Sequence, residues 1–422
     1  MSRQIQKFRG TATVVSAALV ALTLVTAPVK AEDPIKIGFG MALTGALAGA
    51  GKAALIAMEI WAEDVNAAGG LLGRPVELIY YDDQTNPGKV PAIYTKLINI
   101  DKVDLIVSGY GTATIVPAMP IAMNYEMTFM TLFGLAANEE FQYERYFQIL
   151  PSGPEPRLDW SRGFFAVAMS QDPRPKTVAL VGADAEFPRN ALIGARANAA
   201  AAGLEIVYDR TYPTNTVDFS PIIRSIQAAE PDVVYIASYP PDSAGIVRSV
   251  AELGLDVAQI GGGMVGLQYA SLMGSLGPLL NGFVNYDVWV PEPTLNFTGV
   301  ERFLEKYQAV AADAGVDPLG YYLPPFAYAY MQILGQAVEG TGGLDQDALA
   351  KYLHANAFET VVGTVRFGEN GEWDKSRVLT VQYQGIKETG LEPFTRAGTR
   401  VVLYPEAWKS GELIAPFNDA RD

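Results

Sequence analysis

Cysteine is absent from this 422-residue chain, which leaves no disulfides, no thiolate metal ligands and no thiol nucleophile. Histidine is almost absent: His354 stands alone, in a helix predicted over 349–355, as an ordinary surface residue. The histidine triads and histidine metal clusters of many hydrolases therefore have no residues to draw on. Positive charge is also scarce, with 31 Lys and Arg against 46 Asp and Glu and a net charge of −15. Neutralising phosphates needs clustered cations, so nucleic acid is excluded as a partner. No segment offers the ~20 uninterrupted apolar residues of a membrane helix, and membrane insertion is not expected.

The chain opens on an export signal. Arg3, Lys7 and Arg9 form a basic start, residues 12–27 an apolar run, and Val29-Lys30-Ala31 a small–x–small cleavage site before Glu32. Loss of residues 1–31 removes four cations (Arg3, Lys7, Arg9, Lys30) and no acids, taking the net charge from −15 to −19. With no cysteine at the junction there is no lipoprotein anchor. A periplasmic protein cleaved near Ala31 is expected, and its length argues for two domains.

Behind the signal, strands and helices alternate in the rhythm of parallel βαβ units. A strand at 35–39 leads through a Gly/Ala loop to a helix at 52–68. That helix carries Leu55, Met58, Trp61, Val65 and Ala68 at steps of three and four, and Gly69-Gly70 stops it. The strand at 76–81 runs into Asp82-Asp83. Helices at 87–99 and 115–125 and strands at 105–108 and 128–132 complete this cycle, which closes at 147–151. A second cycle has helices at 159–170, 190–202, 219–229 and 242–253, with strands at 177–182, 205–212 and 232–238. Long helices return at 300–314, 325–341 and 346–355, and strands at 378–383 and 400–404 end the pattern.

In open parallel sheets, ligands bind beyond the carboxyl ends of strands, and a helix N-terminus suits a carboxylate. The loop Ser108-Gly109-Tyr110-Gly111-Thr112-Ala113-Thr114 fits that description. Plain helix capping by Thr112 or Thr114 is the alternative.

One stretch carries a resemblance. A strand, a Thr44-Gly45 loop, a helix ending Asp64-Val-Asn-Ala-Ala-Gly-Gly70, then Gly73-Arg74, precede a strand ending Tyr81-Asp82-Asp83 with Asn86-Pro87 after it. This resembles the start of the periplasmic solute-binding proteins of ABC importers, in the branched-chain amino-acid/amide group typified by the Leu/Ile/Val-binding protein. The resemblance implies an α/β fold of periplasmic binding protein type I, two Rossmann-like lobes joined by a three-segment hinge. Crossings are placed near Pro151, Tyr286 and Arg377. Residues 32–150 plus 287–376 then form lobe 1, and 151–286 plus 377–422 lobe 2. It implies a monomer that captures a small molecule, presents it to a membrane permease, and uses no cofactor or metal.

Carried over residue by residue, the family's carboxylate-binding Ser falls on Thr112 and its Ala-x-Thr on Gly134 and Ala136, around Leu135. Its ligand tyrosines fall on Phe187 and Tyr239, its ammonium-pairing glutamate on Met264, and its closing aromatic on Ala50 or Gly49. Three departures then stand out: Ala136 lacks the hydroxyl, Met264 lacks the charge, and Ala50 leaves room. A buried ammonium without a carboxylate is disfavoured by several kcal/mol. The expected ligand is a carboxylate lacking an α-ammonium, bound among Tyr110, Phe187, Tyr239 and Met264, unless Asp184 or Glu186 replaces the missing acid. Thr112→Val is expected to weaken binding and leave the ligand-free protein's stability nearly unaltered.

Three other functions were weighed: a branched-chain amino-acid or amide receptor, a ligand-sensing partner of a membrane signalling receptor, and an exported hydrolase using acids alone. For the last, Asp82 and Asp83 are adjacent in a strand and point to opposite faces, so they cannot share one substrate bond.

Overall fold

The computed structural model describes residues 33–421, so the signal segment read at 1–31 lies outside the described residues. Two sheets organise the rest. The first holds β1 (Ile35–Met41), β2 (Val76–Asp82), β3 (Leu105–Tyr110), β4 (Phe129–Leu132) and β5 (Tyr146–Gln148), in the order β2-β1-β3-β4-β5. All its pairings are parallel, with α1 (Ala48–Ala67), α2 (Val90–Asn99) and α3 (Thr112–Asn124) as crossovers. Strand β3 is buried along its whole length, which fits a sheet covered on both faces.

The next cycle comprises α4 (Pro156–Met169), β6 (Thr177–Ala183), α5 (Glu186–Ala201), β7 (Glu205–Tyr212), α6 (Ser220–Ala228), β8 (Val233–Ser238), α7 (Pro240–Leu253), β9 (Gln259–Met264), α8 (Ala270–Leu276) and β10 (Val284–Asp287). After β10 the chain builds α9 (Val300–Ala311), α10 (Pro324–Thr341) and α11 (Gln346–Ala355). Helices α9 and α10 pack on α1, and α10 also touches β4. A short antiparallel pair follows, β11 (Ala357–Thr360) with β12 (Gly363–Arg366). Then β13 (Leu379–Tyr383) pairs antiparallel with β10, and β14 (Arg400–Tyr404) with β13. The second sheet thus runs β14-β13-β10-β9-β8-β6-β7, built from two separated stretches of chain.

Details differ from the sequence expectations. Helix α3 begins at Thr112 rather than 115, and its N-cap is Gly111, so neither threonine caps it. The segment 261–264, which ends on the position read for the family glutamate, forms most of β9. Its glycines serve packing: a Cβ on Gly262 would lie 2.3 Å from the Tyr235 ring, and one on Gly261 2.0 Å from the Val284 carbonyl oxygen. Helix α8, strand β10 and the β11–β12 pair were not expected.

Candidate functional site

In each sheet the strand order reverses direction once, between β1 and β3 in the first and between β6 and β8 in the second. Crevices open at such points beyond the carboxyl ends of the strands. Here both crevices contribute to one cavity. The first sheet supplies Leu47 after β1, then Tyr110, Gly111, Thr112 and Ala113 at the junction of β3 and α3, with Phe133 and Leu135 after β4. The second supplies Phe187 at the start of α5, Tyr239 after β8, Val265 after β9, and Tyr286 in β10. Leu150, Trp160 of α4 and Tyr322 before α10 complete the wall. The free space is ≈ 30 Å³, room for only about two waters. A ligand therefore needs the walls to part, as hinged lobes do.

No acidic or basic side chain lines this cavity. Its polar groups are neutral donors. The first N–H groups of a helix have no partner within it, and those of Thr112 and Ala113 find none among the described residues. The Thr112 hydroxyl accepts the Leu135 N–H at 3.0 Å, which leaves its own proton free to donate. Four phenols meet across the cleft. The Tyr110 and Tyr269 hydroxyls lie 3.2 Å apart, and those of Tyr286 and Tyr322 2.9 Å apart. Burial raises the pKa of all four, as it does for Tyr239, so they remain donors at neutral pH. Aromatic faces form the rest: Trp160 stands edge-on to Phe187 at 5.6 Å and lies 4.2 Å from Tyr286.

A hydrogen-bond chain also spans the cleft. Leu135, held through its N–H by Thr112, accepts the Asn190 side-chain N–H of α5 on its carbonyl at 3.0 Å. The Asn190 side-chain oxygen accepts Arg157 Nε at 3.0 Å, and Arg157 pairs with Glu139.

Of the residues singled out from sequence, Tyr110, Gly111, Thr112, Ala113, Leu135, Phe187 and Tyr239 come together around the cavity. The others sit elsewhere. Thr114 donates its hydroxyl back to the carbonyls of Tyr110 and Gly111. Gly134 gives its carbonyl to Gln148. Ala136 is buried at positive φ, turning its methyl into the core. Met264 is fully buried in β9, and its successor Val265 takes the place at the wall. Ala50 and Gly49 line a neighbouring cavity bounded by Tyr269 and Tyr322. Asp184 is exposed and Glu186 half-buried, and both pair with Arg189, outside the lining. Trp160, Phe133, Tyr286 and Tyr322 were not singled out as lining; they come from four distant segments. Among the described residues, no group of three His, Asp or Glu side chains could hold a metal, and no helix is long and apolar enough to cross a membrane.

Residues 34–383 match the family model described as periplasmic binding protein. The chain belongs to that family. It is 25% identical over 394 residues to Leu/Ile/Val-binding protein homolog 8 of Brucella suis biovar 1 (strain 1330), covering 90% of this chain and 93% of that one. Its fold is that of the leucine-binding protein LivK from Thermotoga maritima MSB8, with a TM-score of 0.70, 20% identity, and 84% and 95% of the two chains covered. The solute-binding protein of an ABC transporter from R. palustris, solved in complex with benzoate, superposes equally well. There the TM-score is 0.70 at 18% identity, over 88% of this chain and 95% of that one. The type I fold of two Rossmann-like lobes is thus common to this chain and its relatives.

Proposed function

We propose that this periplasmic binding protein captures a small carboxylate lacking an α-ammonium, with an aromatic or bulky aliphatic body, and delivers it to the membrane permease of an ABC importer. One observation carries the proposal: the cavity offers neutral donors and aromatic faces, but no acid. The N-terminus of α3, the Thr112 hydroxyl and the phenols suit a carboxylate. An ammonium in the same place would lose its hydration without gaining a counter-charge. Asp184 and Glu186, the two acids that could have replaced one, are engaged by Arg189. That a relative of this fold was solved with benzoate agrees with the chemistry.

The protein performs no covalent step in this proposal. Lobes comprising 32–150 plus 287–376 and 151–286 plus 377–422 close on the ligand about crossings near Pro151, Tyr286 and Arg377. Export by residues 1–31 would leave a mature chain beginning at Glu32, which intact mass of periplasmic protein checks.

A thermal-shift screen tests the ligand class, comparing benzoate, substituted benzoates and branched aliphatic acids with leucine, isoleucine and valine. Ligand at a hundred times its Kd stabilises by ~2.7 kcal/mol. The acids are expected to give the larger shift. A shift from leucine, isoleucine or valine with none from the acids would sink the proposal in favour of a branched-chain amino-acid receptor.

A further inference from the structure

Two arginines are buried where the chain passes between the sheets, and they differ in one respect. Arg400, in β14, meets the Asp287 carboxylate at 2.8 Å. Arg377, in the segment leading from β12 to β13, is 7% exposed and has no carboxylate partner. Its backbone N–H is fixed to the Pro151 carbonyl at 2.9 Å. Its Nε and Nη2 are sealed from solvent and donate to nothing among the described residues. Burial, with no neighbouring acid to oppose it, lowers its pKa to about 9, so it still carries its charge at neutral pH.

Three aromatic rings surround the guanidinium, Phe297 and Trp373 at 4.8 Å and Trp408 at 6.0 Å. Such faces offset part of a cation's lost hydration, but they supply no counter-charge. The guanidinium also forms part of the wall of a cavity of ≈ 610 Å³, shared with Asn296, Thr298, Thr360 and Thr364. Nη1 is the edge left open to it. Gly363 keeps that edge clear, because a Cβ there would lie 3.2 Å from Nη1 and 2.9 Å from the Phe297 ring. Glu359, the one acid of the lining, accepts the Thr364 hydroxyl at 2.7 Å and does not pair with Arg377.

We propose that this cavity is a second ligand site, separate from the interlobe cleft, in which Arg377 Nη1, the Thr298 hydroxyl and the Gln332 side-chain N–H hold a small oxyanion, a phosphate or a carboxylate. A buried cation without a counter-ion is unfavourable by several kcal/mol, and an anion seated at its open edge removes that deficit. The aromatic cage fixes the guanidinium plane, so the charge is presented in one orientation.

The test uses the full mature chain with inorganic phosphate and, separately, acetate, each against chloride at matched ionic strength. Either oxyanion is expected to raise the Tm of the wild type beyond chloride, and Arg377→Gln is expected to abolish the rise. The stronger probe identifies the oxyanion class. Equal shifts in wild type and variant, or no shift with either probe, overturn the proposal. Should Arg377→Gln fail to fold, wild-type crystals soaked in arsenate decide. An anomalous peak within hydrogen-bond distance of the Arg377 guanidinium supports the site, and its absence there overturns it.

Discussion

The Thr112 hydroxyl accepts the Leu135 N–H at 3.0 Å, joining the start of α3 to the loop after β4. This gives Thr112 a structural task as well as a place at the cavity. Thr112→Val removes the acceptor and leaves the buried Leu135 N–H unpaired, a cost of about 1–3 kcal/mol. The variant should therefore melt below the wild type even without ligand, contrary to the expectation from sequence. Its affinity should also fall, by about 1.5–3 kcal/mol if the hydroxyl bonds a carboxylate. Thr112→Ser should restore both. Calorimetric melting and titration of the two variants separate the roles, and a valine variant with unchanged melting would deny the first.

Closure depends on the chain from Leu135 through Asn190 and Arg157 to Glu139. Each partner of the Arg157–Glu139 pair is partly exposed, so the pair contributes only about 0.2–1 kcal/mol. Asn190 is buried, and its loss leaves the Leu135 carbonyl unpaired. Asn190→Ala is accordingly expected to favour open conformations more than Glu139→Gln. Small-angle scattering of the ligand-free proteins should show the larger radius of gyration for Asn190→Ala. Identical scattering curves for all three proteins would remove this chain from any account of closure.

Much of this site was legible because strands and helix starts leave local marks. The run from Ser108 to Thr114 reads as the loop between a strand and a helix, and the cavity does form on Tyr110–Ala113. Phe187 and Tyr239 came instead from the family resemblance, whose ligand tyrosines fall on them. Met264 was misplaced because the resemblance set the family glutamate just after three glycines. They accommodate instead the Tyr235 ring and the β10 backbone, a requirement set by distant neighbours. Trp160, Tyr286 and Tyr322 left no local sign, since their place at the wall is decided by how separate segments meet. The fold was legible in its alternation for the same reason, while the short β11–β12 pair lacks a long apolar run.

Glu372 predicts a pH dependence. It is buried, and desolvation raises its pKa to about 8; the Ser152 hydroxyl at 3.0 Å opposes this, nearby Glu139 adds to it, and a hydrogen bond with Tyr146 opposes it. Burial likewise raises Asp83 to about 6. A carboxyl whose folded pKa lies above its unfolded value binds more protons when folded, so stability falls as pH rises through that window. Between about pH 4.5 and 8, Glu372 should therefore destabilise increasingly. Glu372→Gln should flatten the Tm profile over that range and melt higher than wild type near pH 8. Parallel profiles for the two proteins would show that Glu372 does not titrate there.

Asp287 and Arg400 form the buried ion pair beside the second crossing, both essentially without exposure. Removing one partner strands the other charge. Asp287→Ala should lower unfolding free energy by about 3–5 kcal/mol. Replacing both, as Asp287→Leu with Arg400→Met, should lose less than the single change. Denaturant titrations check this, and a double variant less stable than the single one would mean that the pair itself stabilises the fold.

Trp160 lies 4.2 Å from Tyr286 and forms part of the cavity wall, which makes the site optically self-reporting. An indole in van der Waals reach of an incoming aromatic acid changes its emission when the ligand excludes water or takes up excitation energy. Five tryptophans share the signal, but only Trp160 lines this cavity, so Trp160→Phe identifies its share. Natural ligands can thus be sought in unlabelled extracts by following the protein's own light.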